Sequence, residues 1–171
     1  LKLLYDSNPF SQICGKVCTR RCETTCAASH EGDPIAIRWL KRHITEQVPF
    51  EKYRDIIGGP APASGRKIAI IGAGPAGIAA AENLAAAGMA VTVFEAHPYA
   101  GGMVGGAIPG YRLPVGAIEQ DLAAPLKMGV KIHYGRKAGR DVTLTQLRRE
   151  GFDHIVIMTG AQLGRKLGLE G

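Results

Sequence analysis

The sequence predicts an α/β fold with a parallel sheet, preceded by a small α-helical domain rich in cysteine. From residue 66 onward, short apolar strands alternate with helices, which is typical of a parallel sheet covered on both faces. The four cysteines and the only tryptophan lie before that region, and a Gly/Pro-rich stretch at 58–65 separates the two compositions. We therefore expect a helical cysteine-rich domain at 1–57, a linker at 58–65 and an α/β domain at 66–171.

One helix is expected in the first domain, from about Pro34 to Val48. Asp33 is a favourable N-cap and Pro34 a favourable first helical residue. The helix should end before Pro49. Apolar residues recur at spacings of three and four along one helix face: Ile37, Leu40, Ile44 and Val48.

The second domain reads as strands and helices in alternation. Residues 67–71 predict a strand, 75–87 an Ala-rich helix closed by Gly88, and 90–94 a second strand. Residues 115–127 predict a helix whose last turn should kink or fray at Pro125. Residues 130–134 alternate as a half-buried strand. Thr143 and Gln146 form a capping-box signature for a short helix closed by Gly151, and 155–158 predict the last strand.

Composition excludes two classes of partner. Lys and Arg number 21 against 15 Asp and Glu, the excess is spread along the chain, and aromatic content is 6%, so we expect no nucleic-acid binding. The longest uncharged apolar stretch, residues 68–81, is too short and too interrupted by Gly and Pro to span a membrane. The chain starts without Met or a leader and stops without a closing element, so we expect a piece of a longer, cytoplasmic protein.

A glycine-rich motif follows the first strand and opens the first helix. Gly72 allows a tight turn, Gly74 lets backbone approach a pyrophosphate, and Gly77 lets helix and strand pack. Glu95 ends the next strand, where its carboxylate can accept hydrogen bonds from an adenosine ribose and would repel a 2′-phosphate. This arrangement predicts a Rossmann-like dinucleotide site that does not take NADP.

The choice between FAD and NAD depends on a second glycine pair. Gly101 and Gly102 follow Glu95 closely and precede Met103, and a flavin must pass its ribityl chain and ring system beside close backbone. This favours FAD. A third stretch could return to the same cofactor or be an ordinary turn after the last strand: Thr159, Gly160 and Ala161.

The cysteines form a regular C-x3-C-x3-C-x3-C pattern: Cys14, Cys18, Cys22 and Cys26. Thiolates at short spacing suit iron–sulfur ligation. Zinc sites more often use two separated cysteine pairs, so zinc fits less well, and disulfides are disfavoured in a reducing cytosol. A flavin beside such a group is chemically sensible, because it converts a hydride into single electrons.

These motifs resemble the NADPH-dependent glutamate synthase small-subunit family, whose relatives include N-terminal regions of dihydropyrimidine dehydrogenase. The resemblance covers nearly the whole chain. In the first domain it rests on Asn8-Pro9-Phe10, Ile13 to Cys18, Cys22-Glu23, Cys26, Pro34 to Ile37 and Leu40 to Arg42. In the second it rests on Gly72 to Gly77, Glu95, Gly101 to Met103, Ile108-Pro109, Tyr111 to Pro114 and Thr159-Gly160.

The resemblance implies that NAD(P)H reduces FAD and that electrons pass through 4Fe–4S clusters to a partner subunit or domain. The NAD(P)H-binding domain would lie outside this chain. No acid–base residue is expected to act on FAD, because hydride transfer to flavin needs alignment. By position, the resemblance implies that Glu95 would hold the adenosine ribose and that the adenine would lie near the Ala138 backbone. The FAD phosphates would be held by Gly72, Gly74, Pro75, Ala76 and Gly77. The rest of the cofactor would be lined by Gly102, Met103, Arg112, Thr159, Gly160 and Ala161.

For the metal, the resemblance gives Cys18 and Cys22 to one cluster and Cys26 to another, with a further cysteine group upstream; Cys14 is often not a ligand. Two other functions remain open from the residues alone. One is a non-catalytic assembly subunit that keeps the fold and a nucleotide. The other is a plain NAD-binding module with a zinc site.

Overall fold

The computed structural model describes residues 1–49, 52, 55, 56, 58–161 and 168. Its N-terminal part is helical. The elements there are α1 (Lys2–Ser7), α2 (Ser11–Val17), α3 (Arg21–Thr24), a 3₁₀ turn (Ala27–His30) and α4 (Ile37–Glu46). The predicted domain limits at 57 and 171 lie outside the described residues.

The expected start of α4 at Asp33 and Pro34 is wrong. The helix begins at Ile37, after Ala36 with φ −73° and ψ 60°, and no side chain of its own N-cap bonds its first turn. Instead, Glu23 Oε1 accepts a 2.9 Å hydrogen bond from the backbone N–H of Arg38. The cap therefore comes from the cysteine-bearing segment, which a local sequence pattern does not reveal.

The second part is an α/β unit built on a four-stranded parallel sheet. Its strands are β1 (Lys67–Ile71), β2 (Ala90–Phe94), β3 (Lys131–His133) and β4 (His154–Ile157), in the order β3-β2-β1-β4. Its helices are α5 (Pro75–Ala86), α6 (Met103–Gly106), α7 (Val115–Lys127) and α8 (Leu144–Arg149). The predicted α/β fold class with a parallel sheet is confirmed.

Both faces of this sheet are covered, as alternation along β1 requires. Ile68 and Ile70 pack on one face with Ile78 of α5. Ala69 and Ile71 point to the other face and pack with a second group: Phe94, Val142, Leu147, Phe152 and Ile155. The sheet edge formed by the carboxyl ends of the strands is where ligands bind in open parallel sheets.

The predicted N-cap of α8 is confirmed. The side chain of Thr143 accepts a 3.2 Å hydrogen bond from the backbone N–H of Gln146, so it caps α8 as predicted. Pro125 lies inside α7, which continues to Lys127. β3 is shorter than the predicted strand at 130–134.

The helical part packs against α7 of the α/β unit. Ile13 of α2 is buried with Leu113, Ala117 and Ile118, and partly buried apolar residues complete this cluster: Phe10, Val17, Val104, Ile108 and Leu122. The cysteine-bearing helix α2 therefore shares an apolar core with the segment that follows Gly102. Across the described residues, no helix combines the length and apolarity needed to cross a membrane.

Candidate functional site

The first glycine loop is a tight turn between β1 and α5. Gly72 has φ +106°, and a Cβ there would collide with the carbonyl oxygen of Met158 and lie 3.3 Å from Thr159 Cα. A Cβ on Gly77 would collide with the carbonyl oxygen of Gly72. Both positions therefore need glycine for the backbone to fold, independently of any ligand.

Gly74 differs from its two neighbours in the motif. It is the N-cap of α5 with φ −73°, a conformation open to any residue, and a Cβ there would meet no atom within 4 Å. Gly74 thus leaves free space at the start of a helix whose first backbone N–H groups lack intrahelical acceptors. Space and free donors at a helix N-terminus fit the diphosphate of a dinucleotide.

Ala73 joins three loops at this edge of the sheet. Its backbone N–H donates a 2.7 Å hydrogen bond to Glu95 Oε2, and its carbonyl oxygen accepts a 2.8 Å bond from the N–H of Gly101. Gly102 has φ +52°, and a Cβ there would lie 3.0 Å from Gly74 Cα. The second glycine pair is therefore packed directly on the first loop.

Glu95 is 5% exposed at the end of β2. Its Oε1 accepts a 2.8 Å bond from the backbone N–H of His97, and the His97 ring Nδ1 lies at 2.8 Å from the same oxygen. Burial raises the pKa of the Glu95 carboxyl, but the hydrogen bonds from His97 and Ala73 outweigh it, so the net pKa is lowered. The Glu95 carboxylate is thus ionised at neutral pH and is held in place by these hydrogen bonds.

The sequence patterns described above did not assign His97 to the site, although it orients Glu95. The available signal was its position two residues after Glu95, where a backbone N–H can bond back to the carboxylate. Nothing in that spacing separates it from an ordinary surface histidine.

The chain after β3 returns to Glu95. The N–H of Arg136 donates a 2.7 Å bond to the carbonyl oxygen of Glu95, and the N–H of Gly135 donates to that of His97 at 3.2 Å. Ala138 follows closely and pairs with Val142 in an isolated bridge. The backbone at Ala138 therefore belongs to the loop that bonds to Glu95, the residue predicted to bind the ribose.

The other predicted cofactor contacts lie in exposed backbone. Thr159, Gly160 and Ala161 follow β4, next to Gly72, and Gly160 has φ +71°. Met103 begins α6 with 74% of its surface exposed. Arg112 lies in an exposed turn closed by its N–H bond of 2.9 Å to the Pro109 carbonyl. Ile108 and Leu113 of this segment pack in the same apolar cluster as Ile13 of α2.

The four cysteines are free thiols in or next to the short helices of the N-terminal part. Cys14 lies in α2, Cys18 caps its end, Cys22 is in α3 and Cys26 precedes the 3₁₀ turn. Cys18 Sγ accepts a 3.4 Å hydrogen bond from the backbone N–H of Arg20, and Cys14 Sγ lies 3.8 Å from Asn8 Oδ1.

Thiols are the right donors for a 4Fe–4S cluster. In the described part of the chain, however, no three Cys, His, Asp or Glu side chains form a metal-holding group. The segment therefore fits a cluster by its donor chemistry and does not by itself enclose one.

Comparison with known proteins places these features in a family. Residues 66–171 match the family described as pyridine nucleotide-disulphide oxidoreductase, and residues 1–52 match dihydropyrimidine dehydrogenase domain II, 4Fe-4S cluster. The β subunit of the NADP(+)-dependent formate dehydrogenase of Moorella thermoacetica is 36% identical over all of this chain and 27% of its own length. The glutamate synthase (NADPH) small chain of Bacillus subtilis is 34% identical over all of this chain and 34% of its own length.

Among solved structures, FprA from Mycobacterium tuberculosis superimposes with a TM-score of 0.54 and 25% identity, covering 65% of this chain and 25% of FprA. The chain spans about a quarter of the formate dehydrogenase subunit that it matches. The expected resemblance and the iron–sulfur and flavoprotein classes of cofactor are confirmed at the level of the two matched families, and the family matched by residues 66–171 is one of oxidoreductases. The chain belongs to the pyridine nucleotide-disulphide oxidoreductase family.

Proposed function

We propose that this chain is the electron-transfer module of an NAD(P)H-dependent flavin and iron–sulfur oxidoreductase. The observation that carries the proposal is the open space at Gly74, bounded by the loops that Ala73 ties to Glu95 and Gly101. FAD, when bound there, would supply the step from a two-electron hydride to single electrons. NAD(P)H would bind to a domain outside this chain.

The residues of the site hold and orient the cofactor. Backbone N–H groups of Ala76 and Gly77 at the start of α5 would face the diphosphate, with Gly72, Gly74 and Pro75 shaping the turn. The ionised Glu95 would accept the ribose hydroxyls on lone pairs that Ala73 and His97 leave free. Further contacts are assigned to Ala138, Gly102, Met103, Arg112, Thr159, Gly160 and Ala161.

The helical part would carry electrons onward to a partner subunit or domain. Its thiols Cys18, Cys22 and Cys26 are the proposed ligands, and cysteines from outside this chain would complete the set. The shared core supports this transfer, because it packs α2, whose C-cap is Cys18, against the segment that follows the second glycine pair. We propose a cytoplasmic location, because the reducing cytosol keeps cysteines as free thiols and all four cysteines here are free.

An anaerobic reduction experiment on the intact protein tests this proposal. The flavin absorbance should bleach on addition of NADPH or NADH, followed by bleaching of the broader iron–sulfur absorbance. A bound flavin that dithionite reduces but neither pyridine nucleotide reduces would contradict the proposal and favour a non-catalytic assembly subunit. One zinc and no iron would favour the plain NAD-binding module.

A further inference from the structure

One buried carboxylate of the α/β unit accepts three hydrogen bonds from the helical part. Asp121 on α7 is 0% exposed. Its Oδ1 accepts hydrogen bonds from the Tyr5 hydroxyl at 2.9 Å and the Gln12 backbone N–H at 3.1 Å, and its Oδ2 accepts one from the Ile13 N–H at 2.9 Å. Each of these donors belongs to the helical part.

The two backbone donors are the ones that α2 cannot satisfy itself. Gln12 and Ile13 lie in the first turn of α2, and no side chain of its N-cap bonds them. First-turn N–H groups lack intrahelical acceptors, and a negative charge beside them is favourable. Asp121 therefore acts as the cap of a helix that belongs to the other part of the chain.

Apolar packing surrounds this cap and leads to the flavin-binding loops. Ile13 is buried against Ala117 and Ile118, which lie on α7 one turn before Asp121. Val104 and Ile108 complete the same cluster and follow the Gly101–Gly102 pair. A change in how α2 sits on α7 would therefore move Cys18, the C-cap of α2 and a proposed cluster ligand, relative to the proposed flavin site.

We propose that Asp121 is a positioning residue that docks the cysteine-bearing helix on the flavin-binding unit and so sets the geometry for electron transfer between them. The claim about electron transfer rests on the proposed function. The claim that Asp121 docks α2 rests only on the contacts of Asp121.

The test compares Asp121→Asn with Glu119→Gln in the intact protein. Glu119 lies on the same helix, is exposed and loses a charge in the same way. Asparagine can keep one oxygen but must turn an NH2 group toward a backbone donor, so the cap is broken. We expect hydrogen exchange at Gln12 and Ile13 to quicken by about tenfold or more in Asp121→Asn and to stay unchanged in Glu119→Gln.

A kinetic readout separates positioning from general stability. In Asp121→Asn, flavin content and flavin reduction by NAD(P)H should match wild type, while transfer from reduced flavin to the iron–sulfur group slows. Equal exchange at Gln12 and Ile13 in both variants would overturn the docking role. Faster exchange with an unchanged transfer rate would overturn the electron-transfer role. An intact protein with no flavin would instead defeat the proposed function and leave the docking measurement intact.

Tyr5→Phe provides a milder variant if Asp121→Asn does not fold. It removes the Tyr5 hydroxyl bond and leaves both backbone donors to Asp121 in place. We expect a smaller increase in exchange at the same two amides. No increase there would count against the docking role.

Discussion

The backbone N–H of Ala73 donates a hydrogen bond of 2.7 Å to the carboxylate of Glu95, so the glycine loop after β1 is fixed to the end of β2. The carbonyl of the same residue holds Gly101. Ala73 has no side-chain chemistry, yet it positions all three loops of the candidate site. Gly74, next to it, is left free to meet a ligand.

Gly74→Asp should separate stability from cofactor binding. Aspartate is a preferred N-cap, the backbone there needs no glycine, and the added atoms would enter open space. The flavin-stripped protein should unfold at an equal or higher temperature, while the new negative charge repels the diphosphate and FAD binding weakens by at least about tenfold. Calorimetry and flavin titration measure the two effects.

Gly116→Ala serves as its control, because a Cβ there also meets no atom within 4 Å and the position lies on α7. It should leave FAD affinity unchanged. Undiminished FAD binding by Gly74→Asp would show that the diphosphate does not sit at this loop.

Glu95→Gln should loosen the site itself. Glutamine offers one oxygen where the carboxylate uses two, so one of the N–H donors on Ala73 and His97 would face an NH2 group. A buried donor without an acceptor costs about 1–3 kcal/mol. We expect a lower unfolding midpoint and weaker FAD binding together, measured by thermal unfolding and flavin titration. An unchanged midpoint would mean that Glu95 does not stabilise the loop.

Glu82→Gln should change how stability depends on pH. Glu82 on α5 is 7% exposed and, among the described residues, its Oε2 has no hydrogen-bond partner. Burial, with the nearby Asp121 carboxylate, raises the pKa of Glu82 to about 7 from an ordinary 4.5. Asp121 itself has its pKa raised to about 6, mainly by burial.

The direction in which stability changes with pH follows from proton binding to Glu82. Between pH 4.5 and about 7 the folded protein holds the Glu82 proton that the unfolded chain has lost, so the free energy of unfolding falls as pH rises through this window. The shift corresponds to about 3 kcal/mol at most. Glu82→Gln should therefore match wild type near pH 4 and unfold at a higher temperature at pH 8.

Charged and titratable groups near Glu82 and Asp121 also affect how unfolding depends on pH. Tyr5, Lys2 and Asp6 line the cavity of about 310 Å³ that Glu82 also lines, and Lys16 lowers the pKa of Asp121. Glu119→Gln, exposed on α7, should leave the pH profile of the intact protein unchanged. A wild-type profile that is flat from pH 5 to 8 would contradict the assigned role of Glu82.

Cys18→Ser and Cys14→Ser should differ in iron content. Cys18 is a proposed ligand, and its sulfur accepts a hydrogen bond from the Arg20 N–H, a contact that also stabilises the sulfurs of iron–sulfur clusters. Cys14 instead lies beside the Asn8 side chain within the N-terminal helices. Iron measured per chain in the intact protein should fall in Cys18→Ser and persist in Cys14→Ser. The reverse order would exclude this ligand assignment.

The parts of the fold that sequence predicts well are those whose causes are local. The strand, glycine turn and helix from Lys67 to Ala86 follow from neighbouring residues, and so does the Thr143 cap. The start of α4 was mispredicted because its cap, Glu23, lies in another segment.

The role of Asp121 is even harder to predict from sequence, because its partners are distant along the chain. Its donors Tyr5 and Ile13 are 116 and 108 residues away in sequence, so no periodicity or spacing could indicate that it caps α2. Within the candidate site, Gly72, Gly74 and Glu95 were predicted from motif and spacing, whereas the part played by the Ala73 backbone and by His97 required the fold.

A crystal structure of the intact protein with its native cofactor tests the central claim most directly. The account predicts FAD, with its diphosphate over Gly74 at the start of α5 and its adenosine ribose at Glu95. Electron density for a nicotinamide dinucleotide in that space, or for a flavin bound away from this loop, would contradict it.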